Sequence, residues 1–244
     1  MIIFNSDLKS YSSSKIDNRI FISGFTTRET GDARKISTLL NFFSDINLVY
    51  KQIVILEQIH SVNVSLYEKQ SEEKLVKIDE TDGVITKEKG VILTVRTADC
   101  VPMIFSDKKN SIIGISHQGW RGGLKRMAQK MAQKMIEIGA EKSYLTVAIG
   151  PSIGDCCYDV DDDRYYSFLE EFNGFSDKIF HMHGGKRHVN LSLLNFLLLV
   201  ESGIKAKNID FFPFCTKCYH QRFFSYRRDN KNDYGEMLSF IAIQ

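Results

Sequence analysis

Three side chains stand out for the chemistry they could do together: His60, Cys100 and His117. Two imidazoles and one thiol are donors that zinc accepts, and three protein ligands leave the fourth tetrahedral position open to water or substrate. They lie too far apart in sequence to form a local zinc motif, so folding must assemble them. The same residues admit a second chemistry, with Cys100 as nucleophile and His117 as its base, which needs a metal-free thiolate and a third group to hold the imidazole. Asp99 is the nearby carboxylate and the candidate general acid. It adjoins Cys100, however, and neighbouring side chains of an extended strand point to opposite faces, which favours the metal reading.

Anion-binding residue types accompany this set. Gly119, Arg121, Gly122 and Gly123 open a helix whose first-turn N–H groups suit a phosphate. Arg28, Arg227 and Arg228 offer further forked donors. Of these residues, Arg28, Arg121, Arg228 and Gly122 are assigned to substrate and phosphate.

Other residues of the same types are read more plainly. Cys215 and Cys218 form a lone CxxC, and a second ligand pair would have to come from His220 or from the distant Cys156 and Cys157. A structural zinc is therefore not expected there, and no thioredoxin-like unit surrounds the pair to suggest redox use. His181, His183 and His188 are read as a solvated loop.

The elements that must position the ligands are short strands. Apolar runs at Val91–Val95, Val101–Phe105 and Ile112–Ile115 end at Arg96 and Asp99, in a polar break and at His117, while Gln52–Leu56 leads into His60. Further strands are expected at Arg19–Gly24, Val62–Leu66, Tyr144–Ile149, Ile209–Phe212 and Met237–Ile243. Helical spacing marks Ile36–Phe43 and the run from Leu124 to Ile138, closed by Gly139. An acidic cap at Asp161–Asp163 starts a helix to about Phe172, and Asn190 caps another that ends at Gly203. The charged stretch Lys69–Lys77 reads as an exposed connection.

The 244 residues, 43% hydrophobic and 25% charged, suit one domain spanning 1–244 with a real core. A net charge of +2 lacks the broad basic face of a nucleic-acid binder. Leu193–Val200 is too short to span a membrane, the start is unlike a signal peptide, and five cysteines fit a reducing compartment, so a cytoplasmic protein is expected.

Six ordered blocks resemble the laccase-domain family, also called the multicopper polyphenol oxidase or YfiH/YlmD-type family. They are GFTTRETG at 24–31, EQIHSV at 57–62, TADCVPM at 97–103, SHQGWRGG at 116–123, GPSIGDCCYDV at 150–160, and FFSYRRD with MLSFI near the end. The resemblance implies zinc held by His60, Cys100 and His117, with copper possible from the older naming. It also implies a single α+β domain with a mixed β-sheet core and packed helices. In fold and Cys–His pair the family is similar to the catalytic domain of the cytotoxic necrotizing factors, which act as cysteine hydrolases. The implied activity is phosphorolysis of adenosine, inosine, guanosine or methylthioadenosine, together with adenosine deamination, in a monomer or homodimer. Copper-dependent phenol oxidation, a Cys100–His117 hydrolase and a non-catalytic metal-dependent binding module remain as alternatives. The chain departs from the family at Gln118 (usually Ala), Asp32 (Gly) and Glu236 (Arg). The charge lost at Glu236 and the extra residues between Asp229 and Gly235 bear on substrate choice.

Overall fold

Period-two alternation divides each central strand between two layers. Along Val91–Thr97, Val91, Leu93 and Val95 enter an apolar layer shared with Ile104, Ile113 and Ile115, whereas Ile92 turns away to meet Phe42 and Phe43. Along Val101–Asp107 the pattern repeats. Ile104 faces the shared layer, and Met103 and Phe105 face Met131 and Leu194. The computed structural model, which describes residues 1–69, 72–229 and 234–244, therefore stacks two large sheets face to face, with helices on both outer surfaces.

One sheet has seven strands, in the order Ile2–Asn5, Ser10–Ser13, Phe21–Thr26, Met237–Ile243, Val91–Thr97, Gln52–Leu56 and Leu75–Ile78. The other has six, in the order Ile209–Phe211, Leu145–Ile149, Val101–Asp107, Ile112–Gln118, Gly83–Thr86 and Val64–Tyr67. Both mix parallel and antiparallel pairs, for example Val91–Thr97 antiparallel to Met237–Ile243 and parallel to Gln52–Leu56. Helix Ile36–Asp45 covers the first sheet, and helices Met127–Glu137 and Leu191–Glu201 cover the second. Phe240, Phe105 and Phe43 are completely buried between layers. Each such side chain contributes about 1.5–3 kcal/mol relative to exposure.

The fold is the expected α+β arrangement, and four local expectations change. The helix expected to run continuously to Ile138 is split into Trp120–Leu124 and Met127–Glu137, because Arg126 sits at φ +60° while its guanidinium pairs with Glu171 and Glu201. Lys69–Lys77 is not all connection: Leu75–Ile78 adds to the sheet edge beside Gln52–Leu56. The histidine-rich segment is a hairpin, Phe180–His183 against Lys186–Val189, turned by Gly184 and Gly185 at φ +57° and +75°. Six α-helices are present among the described residues instead of three or four, two of them little more than one turn, Trp120–Leu124 and Ser176–Ile179. Residues 230–233 of the extra segment before Gly235 lie outside the described residues. No helix among the described residues is long and apolar enough to cross a membrane.

Candidate metal centre

Strand register brings the three candidate ligands together. His117 lies near the end of Ile112–Gln118, opposite Pro102 at the start of Val101–Asp107, so Cys100, just ahead of that strand, falls beside it. His60 arrives from the loop after Gln52–Leu56 and places Nε2 3.8 Å from the Cys100 Sγ. The imidazole centroids of His60 and His117 are 4.8 Å apart, and one donor atom from each of the three residues lies within 4.8 Å of the others.

Asp82, which the sequence reading missed, organises the centre. It is fully buried, and its Oδ1 accepts a 2.7 Å hydrogen bond from His117 Nδ1, leaving the other imidazole nitrogen for the Cys100 side. The same carboxylate accepts backbone N–H groups of Ile59, His60 and Ser61 at 3.2, 3.1 and 2.6 Å, and the Ser61 hydroxyl at 2.7 Å. These bonds hold His60 at φ +59°, a left-handed conformation that a non-glycine residue adopts only when its surroundings impose it. A carboxylate behind a ligating imidazole is the usual arrangement around metals, since it fixes the ring's tautomer and raises its basicity. No local motif marks Asp82, because the pairing of Gly83–Thr86 with Ile112–Gln118 is what brings it there.

Electrostatics favour a thiolate. Burial opposes ionisation of Cys100, but the charge and hydrogen bonds of His117 and then His60 outweigh it and bring the thiol down to about 7. Burial likewise disfavours charging His117, yet Cys100 and Asp82 push its pKa up to about 10. Three convergent donors, an ionisable thiol and a carboxylate-backed imidazole fit a zinc-type ion.

The centre borders a cavity of about 970 Å³. Arg121 lines it, joined by Arg96, Arg164 and Arg227. Trp120 carries the Arg121 guanidinium 4.6 Å and the Arg164 guanidinium 4.9 Å from its ring centroid. Tyr158, Tyr226 and Tyr234 add aromatic surface. Glu236 also lines it, 3.8 Å from Arg96, with its carboxyl pushed up by burial.

Other assigned residues are placed elsewhere or used differently. Asp99 borders the cavity, but its oxygens accept from Thr216 Oγ1 at 2.6 Å, Ser225 Oγ at 3.0 Å and the Arg227 N–H at 2.7 Å. Burial raises its pKa, against the pull of those donors. Asp99 thus braces a loop. Arg228 turns from the cavity to bond Asp229 and the carbonyls of Thr216, Lys217 and Phe223, and its neighbour Arg227 lines the wall instead. Arg28 donates to the His220 carbonyl and lies over Phe224. A Cβ at Gly122 would meet Met127 and Ser61 only at ordinary contact range, whereas Gly119 is the close approach: a Cβ there would sit 2.7 Å from the His60 ring. The second ligand pair that the CxxC lacked is present. Cys156 and Cys157 meet Cys215 and Cys218, all four sulfurs lying within 4.8 Å.

Comparisons with known proteins identify the family. Residues 24–244 match the family described as multi-copper polyphenol oxidoreductase laccase. The chain is 30% identical to purine nucleoside phosphorylase YlmD of Bacillus subtilis (strain 168), over 93% of this chain and 90% of that protein. It is also 30% identical to adenosine deaminase RL5 of an unknown prokaryotic organism, over 88% of this chain and 85% of that protein. Among solved structures, YlmD from Geobacillus stearothermophilus superposes with a TM-score of 0.86 at 27% identity, covering 100% of both chains. The Bacillus licheniformis hypothetical protein YfiH gives 0.81 at 28% identity, covering 92% of this chain and 93% of that one.

Proposed function

Because the chain belongs to the multi-copper polyphenol oxidoreductase laccase family, we propose that it is a zinc-dependent purine nucleoside phosphorylase. Its substrates are adenosine, inosine, guanosine or methylthioadenosine, and adenosine deamination is a second activity of the same pocket. The observation that carries this reading is a three-donor centre, not a closed four-donor one, set in the wall of a cavity lined by arginines and aromatic rings. His60, Cys100 and His117 would hold the zinc ion, which would supply Lewis-acid stabilisation of developing negative charge.

In phosphorolysis a phosphate oxygen forms a bond to the ribose anomeric carbon as the glycosidic bond breaks, and its electron pair leaves with the purine. The Arg121 guanidinium binds and orients the phosphate, and Arg227, held by Asp159 at 2.9 Å, adds fixed positive charge to the same wall before reaction. Tyr226, exposed and lining the same cavity, offers an aromatic face that suits a purine. Asp82 keeps both imidazoles in position.

One observation favours a second reading. Cys100, His117 and Asp82 stand in the order of a nucleophile, base and orienting carboxylate, so a cysteine hydrolase meets its geometric requirement. His60, whose Nε2 lies 3.8 Å from the thiol, has no role in that scheme, which favours metal. A multicopper oxidase would need further histidine clusters; the only other candidate ligand group among the described residues is four cysteines.

The test is incubation of metal-quantified protein with adenosine, with and without phosphate, and chromatographic identification of products. Adenine and ribose 1-phosphate formed only with phosphate, plus inosine in either case, is the expected result. Activity should fall at least 100-fold in His60→Ala, Cys100→Ser and His117→Ala alike. Turnover that survives chelation and His60→Ala would instead establish the thiol mechanism, and zinc without any product would leave a binding module.

A further inference from the structure

Four of the five cysteines have no part in the pocket chemistry, yet they converge. Cys157 and Cys156 place their sulfurs 3.4 and 3.6 Å from that of Cys218, and all four, with Cys215, fall within 4.8 Å of one another. Tetrahedral zinc with bonds of about 2.3 Å to sulfur sets its ligands roughly 3.8 Å apart, so little movement separates this cluster from a coordination sphere. Burial of small apolar side chains does not account for it, since Cys156 and Cys218 are exposed and only Cys215 is buried.

Two short turns carry all four sulfurs, Cys156 and Cys157 on one and Cys215 and Cys218 on the other. Gly154 is a necessary gap: a Cβ there would stand 3.1 Å from Cys215 Cβ and 3.3 Å from Cys156 Sγ. The two loops also meet through their backbones, as Thr216 N–H donates to the Ser152 carbonyl at 3.0 Å.

We propose that Cys156, Cys157, Cys215 and Cys218 form a second, structural zinc site, separate from the pocket centre, that clamps together the two loops building one cavity wall. Four thiolates complete the tetrahedron and leave no position for substrate, the mark of a structural rather than catalytic ion. The clamp bears on the pocket through adjacent residues. Tyr158, next to Cys157, lines the cavity, and Thr216, next to Cys215, donates to Asp99 beside the ligand Cys100.

Native mass spectrometry and elemental analysis of reduced, zinc-supplied protein test the assignment. A variant lacking the pocket donors (His60→Ala, Cys100→Ser, His117→Ala) should retain one zinc per chain. The double variant Cys215→Ser, Cys218→Ser should hold one zinc fewer than the unsubstituted protein. If that variant does not fold, the pocket-deficient variant decides by itself, because its cysteine cluster is intact. Loss of all zinc from the pocket-deficient variant overturns the proposal, and so does a chain 2 Da lighter without zinc, which would mean that the thiols pair as a disulfide.

Discussion

Asp82 bonds His117 on one side and the His60 loop on the other, so removing its charge disturbs two ligands at once. Asp82→Asn keeps the shape and removes the anion. Chelator competition should show zinc affinity lowered about 10- to 100-fold, with activity recovering as zinc is raised. If activity is lost at every zinc concentration, Asp82 is acting on the reaction itself. His60, Cys100 and His117 were singled out in the sequence by their side-chain types together with the family blocks that contain them. Asp82 was not, since aspartate before glycine is an ordinary turn signal and its partner lies across a strand pairing. The same limit explains Arg227 and Arg228, where only the path of the chain decides which of two adjacent guanidinium groups meets the cavity and which meets Asp229.

At the scale of elements, the turn from strand Ile112–Gln118 into helix Trp120–Leu124 sets the clearance of the metal centre. Gly119 adopts φ −74°, which any residue tolerates, so space rather than backbone freedom demands glycine. Gly119→Ala would press a methyl against the His60 ring and lie 3.3 Å from the Cys100 sulfur. We expect a cooperatively folding protein whose zinc content per chain falls to less than half; full zinc content would show that the His60 loop has room to yield. Sequence periodicity located most of the strands, the capped helices Asp162–Glu171 and Leu191–Glu201, and the closing strand Met237–Ile243. It could not see the break at Arg126, because apolar spacing continues across it, and the residues that Arg126 pairs with there, Glu171 and Glu201, are remote in sequence.

At the scale of the whole molecule, Asp210 joins the two sheets. It lies on edge strand Ile209–Phe211 of one sheet and receives the Ser13 hydroxyl from the other, with the Met1 ammonium at 2.9 Å and Lys15 Nζ at 3.1 Å. Burial opposes its ionisation, but Ser13, the Met1 ammonium and Lys15 outweigh that and hold its carboxyl below the usual range. The unfolded chain therefore takes up the proton first. The stabilisation is fully present above the unfolded value of about 3.9 and disappears as pH falls through the lower folded value. Urea unfolding should find Asp210→Asn less stable by about 1.5–3 kcal/mol at neutral pH, the gap holding down to about pH 5 and closing toward pH 2. A gap independent of pH would assign the loss to packing.

By itself the sequence determined the α+β class, through the resemblance of its ordered blocks to a known family, and most periodic elements, and it singled out His60, Cys100 and His117 as candidates, because motifs and periodicity are local properties. The tertiary structure decided what depends on strand register and loop approach: the carboxylate behind His117, the arginines that line the cavity, and the meeting of Cys156 and Cys157 with Cys215 and Cys218. In each of these cases the partners lie far apart along the chain, and only the stacking of the two sheets and the loops at their rim makes them neighbours.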